Sequence, residues 1–383
     1  MMKRDYSIVF WLNQPPKVEA GAYNYVSNVI AGKTYYICAH DLPEERKLLG
    51  WDKISYGKAK ILILSEDPQE KNKQILSFVK ISNAVHIVCG LRGSIADVVC
   101  PMLKRNGNQF YVVSERPSLA YNTLKNTFHS LGAKVLHRVR YLQYRNNVKA
   151  FLALGKLGVS SFHQIGWPSD KLFRFMYCGE YLEEFPKKEF SSGNKVVHFL
   201  YIGRFKYKTH AVDILQEAFN SQKNDNWQLD MAGGYGDDKE TVINWINSVD
   251  NAHFIGKVDA NKVQSVMAKY DVILVPSRAD GWNCQINEAL YTNTPVITTI
   301  ESVSSELVDE SHGGIVVKTV TVEEFTKAIA YVLENPDIVQ LWSEAIYQYR
   351  ESFSPKSVGE YLLQIIDYTT DPTNGAQKPV CPW

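Results

Sequence analysis

Thirteen short apolar runs, each of strand length and separated by helical patterns, recur along the 383 residues. Runs of this kind fold as parallel sheets with helices on their faces, because a strand buried on both sides has no polar face to show. In the first half the strands are expected at Ser7 to Leu12, Tyr35 to Ala39, Ile61 to Leu64, Val85 to Cys89, Gln109 to Val113, Phe151 to Leu154 and Leu172 to Tyr177. In the second they are expected at Val196 to Ile202, Gln228 to Ala232, His253 to Ile255, Val272 to Val275, Pro295 to Thr298 and Gly314 to Val317. Helices are expected there near Ala211 to Asn220, Asn261 to Lys269, Asn287 to Tyr291 and Val322 to Leu333. The polar stretch Glu183 to Lys195 divides the two series and reads as a linker, so the chain is an α/β protein with domains over 1–185 and 186–350 and a helix and tail over 351–383. The last thirteen residues are turn-rich and read as an extended tail on which Trp383 can dock.

Composition narrows the class. No apolar run approaches the roughly 20 residues that span a bilayer, and the apolar stretch near the start is too short for a signal peptide, so a cytoplasmic protein is expected. Six single cysteines without a C-x-x-C pair read as small buried hydrophobes, neither disulfides nor a zinc site. The net charge of +1 hides a division. Residues 1–190 carry 27 Lys and Arg against 16 Asp and Glu, whereas residues 191–383 carry 15 against 25. Between Glu115 and Asp170 eight bases (Arg116, Lys125, Lys134, Arg138, Arg140, Arg145, Lys149 and Lys156) occur with no acid.

Two segments of the second half carry chemistry. In DVILVPSRADGWNCQINE, Asp271 to Glu288, a strand ends in a turn and opens a helix, the place where α/β proteins bind ligands on unpaired backbone N–H groups. Asp280 on that loop and Glu288 in the helix can face one crevice, and ionised carboxylates there suit sugar and ribose hydroxyls better than bare phosphate. An N-terminal cap at Asp280 and a solvated Glu288 are the other reading. In GRFKYKTH, Gly203 lets backbone approach a ligand, Arg204 offers a planar fork to phosphate oxygens, and Lys206 and Lys208 add mobile charge. A solvated basic loop is the alternative. Neither a Walker loop nor a dinucleotide fingerprint follows a strand, which disfavours a dehydrogenase. Gly233, Gly234 and Gly236 stand beside Asp237 and Asp238, which would repel pyrophosphate, and read as a turn.

The order GRFKYK, LDMAGGYGDD, HFIGKV, VPSRADGWNCQINEALYTNTPVI and HGGIVV, from about Val196 to Leu333, closely resembles the nucleotide-binding half of retaining glycosyltransferases of family 4. That resemblance implies the GT-B fold, two Rossmann-like domains whose parallel sheets face a central cleft, with the C-terminal helix crossing back to the N-terminal domain. It implies that Arg204 and Lys208 neutralise the donor pyrophosphate, Asp280 holds the donor sugar and Glu288 holds the ribose. Gly281, Trp282 and Asn283 would offer loop amides to the donor, and Lys257 and Val258 would meet the base.

The chain departs from that pattern in several places. Asp280 stands where Glu is usual, and Asn283 replaces a Gly, adding a side chain expected to face the donor. The interval from Arg204 leaves Lys206 competing with Lys208, which is preferred. The usual Gly-Gly loop near the N-terminus is reduced to Gly21. Glu115 stands after a strand where relatives carry a histidine, and by resemblance to bacterial surface-polysaccharide enzymes it would orient the acceptor or support its deprotonation; a cap or a salt bridge to Arg116 is the alternative. His86, inside an apolar strand, reads as a packed histidine.

The resemblance thus implies transfer of a hexose-type sugar from a UDP- or GDP-sugar to a hydroxyl of a glycan or lipid-linked acceptor, with retained stereochemistry. Cationic side chains would do the work that Mg2+ does elsewhere, so no metal or other cofactor is expected. A nucleotide-sugar-binding subunit without turnover, acting in a glycan-assembly complex, is the other function class. No nucleic-acid partner is expected. The basic stretch adds peripheral contact with an anionic membrane, at its inner face, as an expectation: half of its eight bases at ~1 kcal/mol each would give about millimolar binding. Its apolar positions (Leu124, Phe128, Leu131, Val135, Val139 and Leu142) would let such a helix rest on the membrane surface, although the same spacing packs it against its own sheet, which is the preferred reading.

Overall fold

A computed structural model describes residues 4–117, 124–182, 196–233, 235–370 and 377–383, with backbone alone for 124–131. The linker expected at Glu183 to Lys195, Gly234, and the side chains of Leu124, Lys125, Phe128 and Leu131 lie outside the described residues, as does the start of the tail, 371–376.

The chain forms two units: Met1–Glu180 with Phe353–Pro382, and Tyr181–Ser352 with Trp383. In the first, strands β1 (Ser7–Leu12), β2 (Thr34–Cys38), β3 (Lys60–Ile63), β4 (Ala84–Cys89), β5 (Phe110–Ser114), β6 (Val148–Leu154) and β7 (Leu172–Phe175) make a sheet of order β3-β2-β1-β4-β5-β6-β7. Every pairing is parallel. The central strand β1 is buried on both faces from Ile8 onward, which is why it reads as a continuous apolar run, whereas the edge strand β3 leaves Ile61 and Ile63 over a third exposed. Helix Ala20–Val29 packs against the last helix, Pro355–Thr370; a Cβ on Gly359 would lie 2.6 Å from the Tyr25 ring, so the two axes approach closely only because that residue is glycine. Arg4 ties the same helix to the N-terminus through Asp367 at 3.0 Å.

In the second unit, β8 (Val197–Gly203), β9 (Trp227–Gly233), β10 (Ala252–Gly256), β11 (Val272–Val275), β12 (Val296–Thr299) and β13 (Gly314–Val317) form a parallel sheet of order β10-β9-β8-β11-β12-β13. Its core joins Phe199, Tyr201 and Leu229 from the strands with Val212, Leu215, Phe325 and Ile329 from the covering helices. All thirteen expected strands are present, with ends shifted by a residue or two except β6, which begins three residues earlier at Val148. Trp383 is buried.

The helix Leu124–Tyr144 corrects one expectation. Its packed face carries His137 and Tyr144, while Val135, Leu136, Val139 and Leu142 are about half exposed (56, 49, 53 and 53%). Of the apolar positions named from the sequence, Val135, Val139 and Leu142 are therefore not the ones that meet the sheet. Tyr141 stacks its edge on Trp167 and receives Arg138 over its ring at 5.0 Å, so aromatic residues supply the contact that aliphatic spacing pointed to.

Candidate functional site

Strand order reverses between β8 and β11, since β8 runs on to β9 on one side while β11 runs on to β12 on the other. Loops beyond the carboxyl ends at such a switch point diverge and leave a crevice. Strand β8 ends on Gly203 and the loop after it carries Arg204; that after β11 carries Asp280, Gly281, Trp282 and Asn283. Arg204 and Asp280 are close enough that the guanidinium helps hold the Asp280 proton affinity down. The cationic and the acidic segments read from the sequence thus meet.

The β8 loop is stiffly held. Tyr201 donates its hydroxyl to the Arg204 carbonyl at 2.6 Å. The turn after β9 packs against it: a Cβ on Gly233 would lie 2.0 Å from the Gly203 carbonyl oxygen and one on Gly236 would lie 2.1 Å from that of Phe205, and both glycines have positive φ. Asp237 and Asp238, which seemed from sequence to do no more than repel phosphate, serve this loop; Asp238 accepts the Tyr207 N–H at 2.7 Å, and Asp237 pairs with Lys206 at 3.3 Å. Of the two competing lysines, Lys206 is therefore engaged and Lys208 is exposed. Next comes a single turn of helix, Tyr207–His210, ended by Ala211 in the left-handed region (φ 51°). Its last residue, His210, was not singled out in the sequence, yet its Nε2 accepts the Arg204 Nε–H at 3.1 Å. Arg278 straps the turn to the β11 loop, donating to the Tyr207 carbonyl and gripping Asp213 with both ends of its fork at 2.6 Å.

The β11 loop settles the alternative reading of Asp280. The cap of helix Cys284–Tyr291 is Asn283, whose Oδ1 accepts the Gln285 N–H at 3.0 Å. Asp280 is not a cap. Its Oδ2 accepts from Asn283 Nδ2 at 2.7 Å and from Ser277 Oγ at 3.4 Å. Burial raises its pKa above the usual carboxylate value, and those donors with the Gly281 N–H and Arg204 pull it back. The expectation that Asn283 turns its side chain to a donor is corrected: that side chain is 9% exposed and holds both the helix end and Asp280. Trp282 is buried and gives its indole N–H to Asn287 at 3.0 Å, which leaves backbone as what this residue offers a ligand. Glu288 is half-buried in the second turn of the helix. Val258 is half-buried on the loop after β10, and Lys257 beside it lies over the Tyr235 ring at 4.1 Å.

In the first unit Glu115 directly follows β5, as the strand pattern indicates, and is half-buried. Gly21 lies inside helix Ala20–Val29 and not on a loop; a Cβ there would sit 1.9 Å from the Gly179 carbonyl oxygen, and this packing accounts for the glycine without a ligand. His86 is 1% exposed, accepts the Trp11 indole N–H on Nδ1 at 3.3 Å, and is a packed histidine with a pKa near 4 caused by burial. The sequence reading missed Glu19, which precedes the same helix. Burial pushes its pKa up to about 7; its own backbone N–H lowers it, nearby Glu115 raises it and Arg46 lowers it.

The profile of the family described as "Glycosyl transferases group 1" matches residues 197–335, which contain every one of the second-unit residues just described. Among curated proteins, an uncharacterized glycosyltransferase of Methanocaldococcus jannaschii is 24% identical over 217 residues, covering 53% of this chain and 55% of its own, so the likeness spans about half of that relative. Among solved structures, sucrose-phosphate synthase from Thermosynechococcus elongatus superposes with a TM-score of 0.70 at 14% identity, covering 96% of this chain and all of that one. Anabaena HepE in complex with UDP and glucose gives 0.68 at 13%, covering 94% and 99%. At such identities the structural likeness is one of fold. The likeness to solved structures is that of two Rossmann-like α/β domains of GT-B type. The match to the group 1 glycosyltransferase family is to residues 197–335, within the second unit.

Proposed function

We propose that this protein transfers a hexose-type sugar from a UDP- or GDP-sugar to a hydroxyl of a glycan or lipid-linked acceptor, with retention at the anomeric carbon and without a metal. The observation that carries this reading is the convergence of Arg204 with Asp280 at neighbouring strand ends, cation for a leaving diphosphate beside a carboxylate for sugar hydroxyls. A UDP-bearing relative of the same fold, HepE, supports the choice of donor. In this mechanism Arg204 stabilises the charge that grows on the departing diphosphate. Asp280, fixed by Asn283 and Ser277, holds the sugar hydroxyls, and Glu288 holds the ribose. Glu115, with Glu19 beside it, orients the acceptor hydroxyl and receives its proton. Nucleotide release from a panel of sugar donors tests the reading, with EDTA present and the product anomer read by NMR. Arg204→Ala, Asp280→Ala and Glu288→Ala are each expected to lose at least about a hundredfold in kcat/KM. Wild-type protein that binds a nucleotide sugar but releases no nucleotide with any acceptor would instead make it a binding subunit.

Contact with an anionic membrane belongs to the same proposal. Lys134 and Arg138 are exposed on the helix that leaves Val135, Leu136, Val139 and Leu142 uncovered, and Arg145 is exposed just beyond its end, so charge and apolar area lie together. Such a surface suits an enzyme whose acceptor is carried on a lipid. No helix among the described residues is long and apolar enough to cross a membrane.

A further inference from the structure

We propose that His210 is a second phosphate-contacting residue of the donor site, neutral in the free protein and protonated when a nucleoside diphosphate binds. This inference rests on the function proposed above and adds a proton to its binding step.

The geometry comes first. Arg204 Nε donates to His210 Nε2 at 3.1 Å, so the acceptor nitrogen of the imidazole lies against the guanidinium. A phosphoryl oxygen taken by the other two nitrogens of Arg204 lies about 3 Å from them. The adjoining phosphoryl group of a diphosphate then comes within reach of the imidazole. Of the lysines on this loop, Lys206 is held by Asp237 and Lys208 is exposed, which leaves the imidazole as the group already in place beside Arg204.

The electrostatics supply the switch. Burial, with Arg204 and Lys206 adding to it, lowers the His210 pKa to about 4, so the free imidazole is neutral and can accept from Arg204. The other charges around it offer little compensation. Arg278 and Asp213 neutralise each other, Asp280 is turned to Asn283 and Ser277, Asp237 is paired with Lys206, and Asp238 accepts from the Tyr207 backbone; Lys208, on the same turn, is one more cation. A diphosphate brings at least two negative charges to the spot where two cations now dominate. An opposite charge within 4–6 Å raises a histidine's proton affinity by one to three units, and the protonated ring can then donate Nε2–H to phosphate while Arg204 turns its fork to the ligand. The proton comes from solvent and returns there on release. Affinity for the nucleotide should therefore fall as pH rises through neutrality.

Titration calorimetry of UDP and of GDP with the full chain, in two buffers of different ionisation enthalpy at pH 7.0, counts the protons taken up. The ionisation of the nucleotide itself is common to all variants and cancels between them. Wild type is expected to take up as much as about half a proton beyond His210→Gln and beyond His210→Lys. Its affinity relative to His210→Gln should fall by up to about tenfold between pH 6 and pH 8. Should the glutamine variant fold poorly, the lysine variant gives the same comparison with a fixed cation in place. Equal proton uptake by wild type and either folded variant overturns the role of His210 while leaving the glycosyltransferase reading intact. Failure of wild type to bind both nucleotides overturns the two together.

Discussion

Asn283 shows how much one residue can hold. Its two side-chain atoms cap the helix Cys284–Tyr291 and fix the Asp280 carboxylate, so replacing it loosens a structural and a binding element together. Asn283→Ala is expected to lower stability by about 1 kcal/mol, the usual cost of a lost cap, seen as a lower midpoint in urea. Asn283→Asp should restore the cap yet set a second carboxylate against Asp280, recovering the midpoint but not donor affinity. A donor affinity unchanged in both variants would show that Asp280 needs no such support. The acids and the arginine were legible in the sequence because their residue types announce their chemistry at strand ends. The cap was not, since a loop containing Ser, Asp and Asn offers three plausible caps and only backbone geometry chooses among them. His210 was hidden for another reason. It ends a single helical turn too short to show a period, and Ala211 gives no hint of the left-handed conformation that aims it at Arg204.

At the scale of elements, strands were easier to find than the faces of helices. Central strands such as β1 and β11 are buried on both sides, so their apolar runs are unbroken and their positions follow directly. The helix Leu124–Tyr144 has apolar residues on more than one face, and spacing cannot say which face packs when aromatic residues compete with aliphatic ones for the sheet. Its outward aliphatic face can be tested by itself. The double variant Val139→Glu, Leu142→Glu is expected to keep the wild-type melting temperature, because both side chains are already in water, and to lose co-sedimentation with anionic liposomes at low salt. Undiminished co-sedimentation of the double variant would remove this helix from the membrane surface.

For the whole molecule, buried histidines set the response to acid. Burial lowers His86 and His137 to about 4, with Arg92 and Arg140 contributing at His137. The unfolded chain takes up those protons near pH 6.5, earlier than the folded one, so the stability they provide is whole above that value and is lost as pH falls toward 4. Each such group accounts for about 3 kcal/mol at most. Glu19 works in the opposite sense, since its raised pKa favours the folded state as it protonates, but it is one group against three, because burial lowers His210 likewise. The melting temperature should therefore drop between pH 6.5 and 4.5. His86→Asn, whose Oδ1 can take the Trp11 indole N–H, should flatten that profile; an equally steep one would place the acid sensitivity elsewhere.

The last helix, Pro355–Thr370, belongs with the first 180 residues, packed on helix Ala20–Val29 and tied to Arg4. A ribosome making this chain from its N-terminus therefore releases all of the second unit but Trp383 while the first unit still lacks a wall. The portion synthesised first is thus closed late, and until Pro355–Thr370 has been made its helix Ala20–Val29 has an apolar face that invites chaperones or the wrong neighbour.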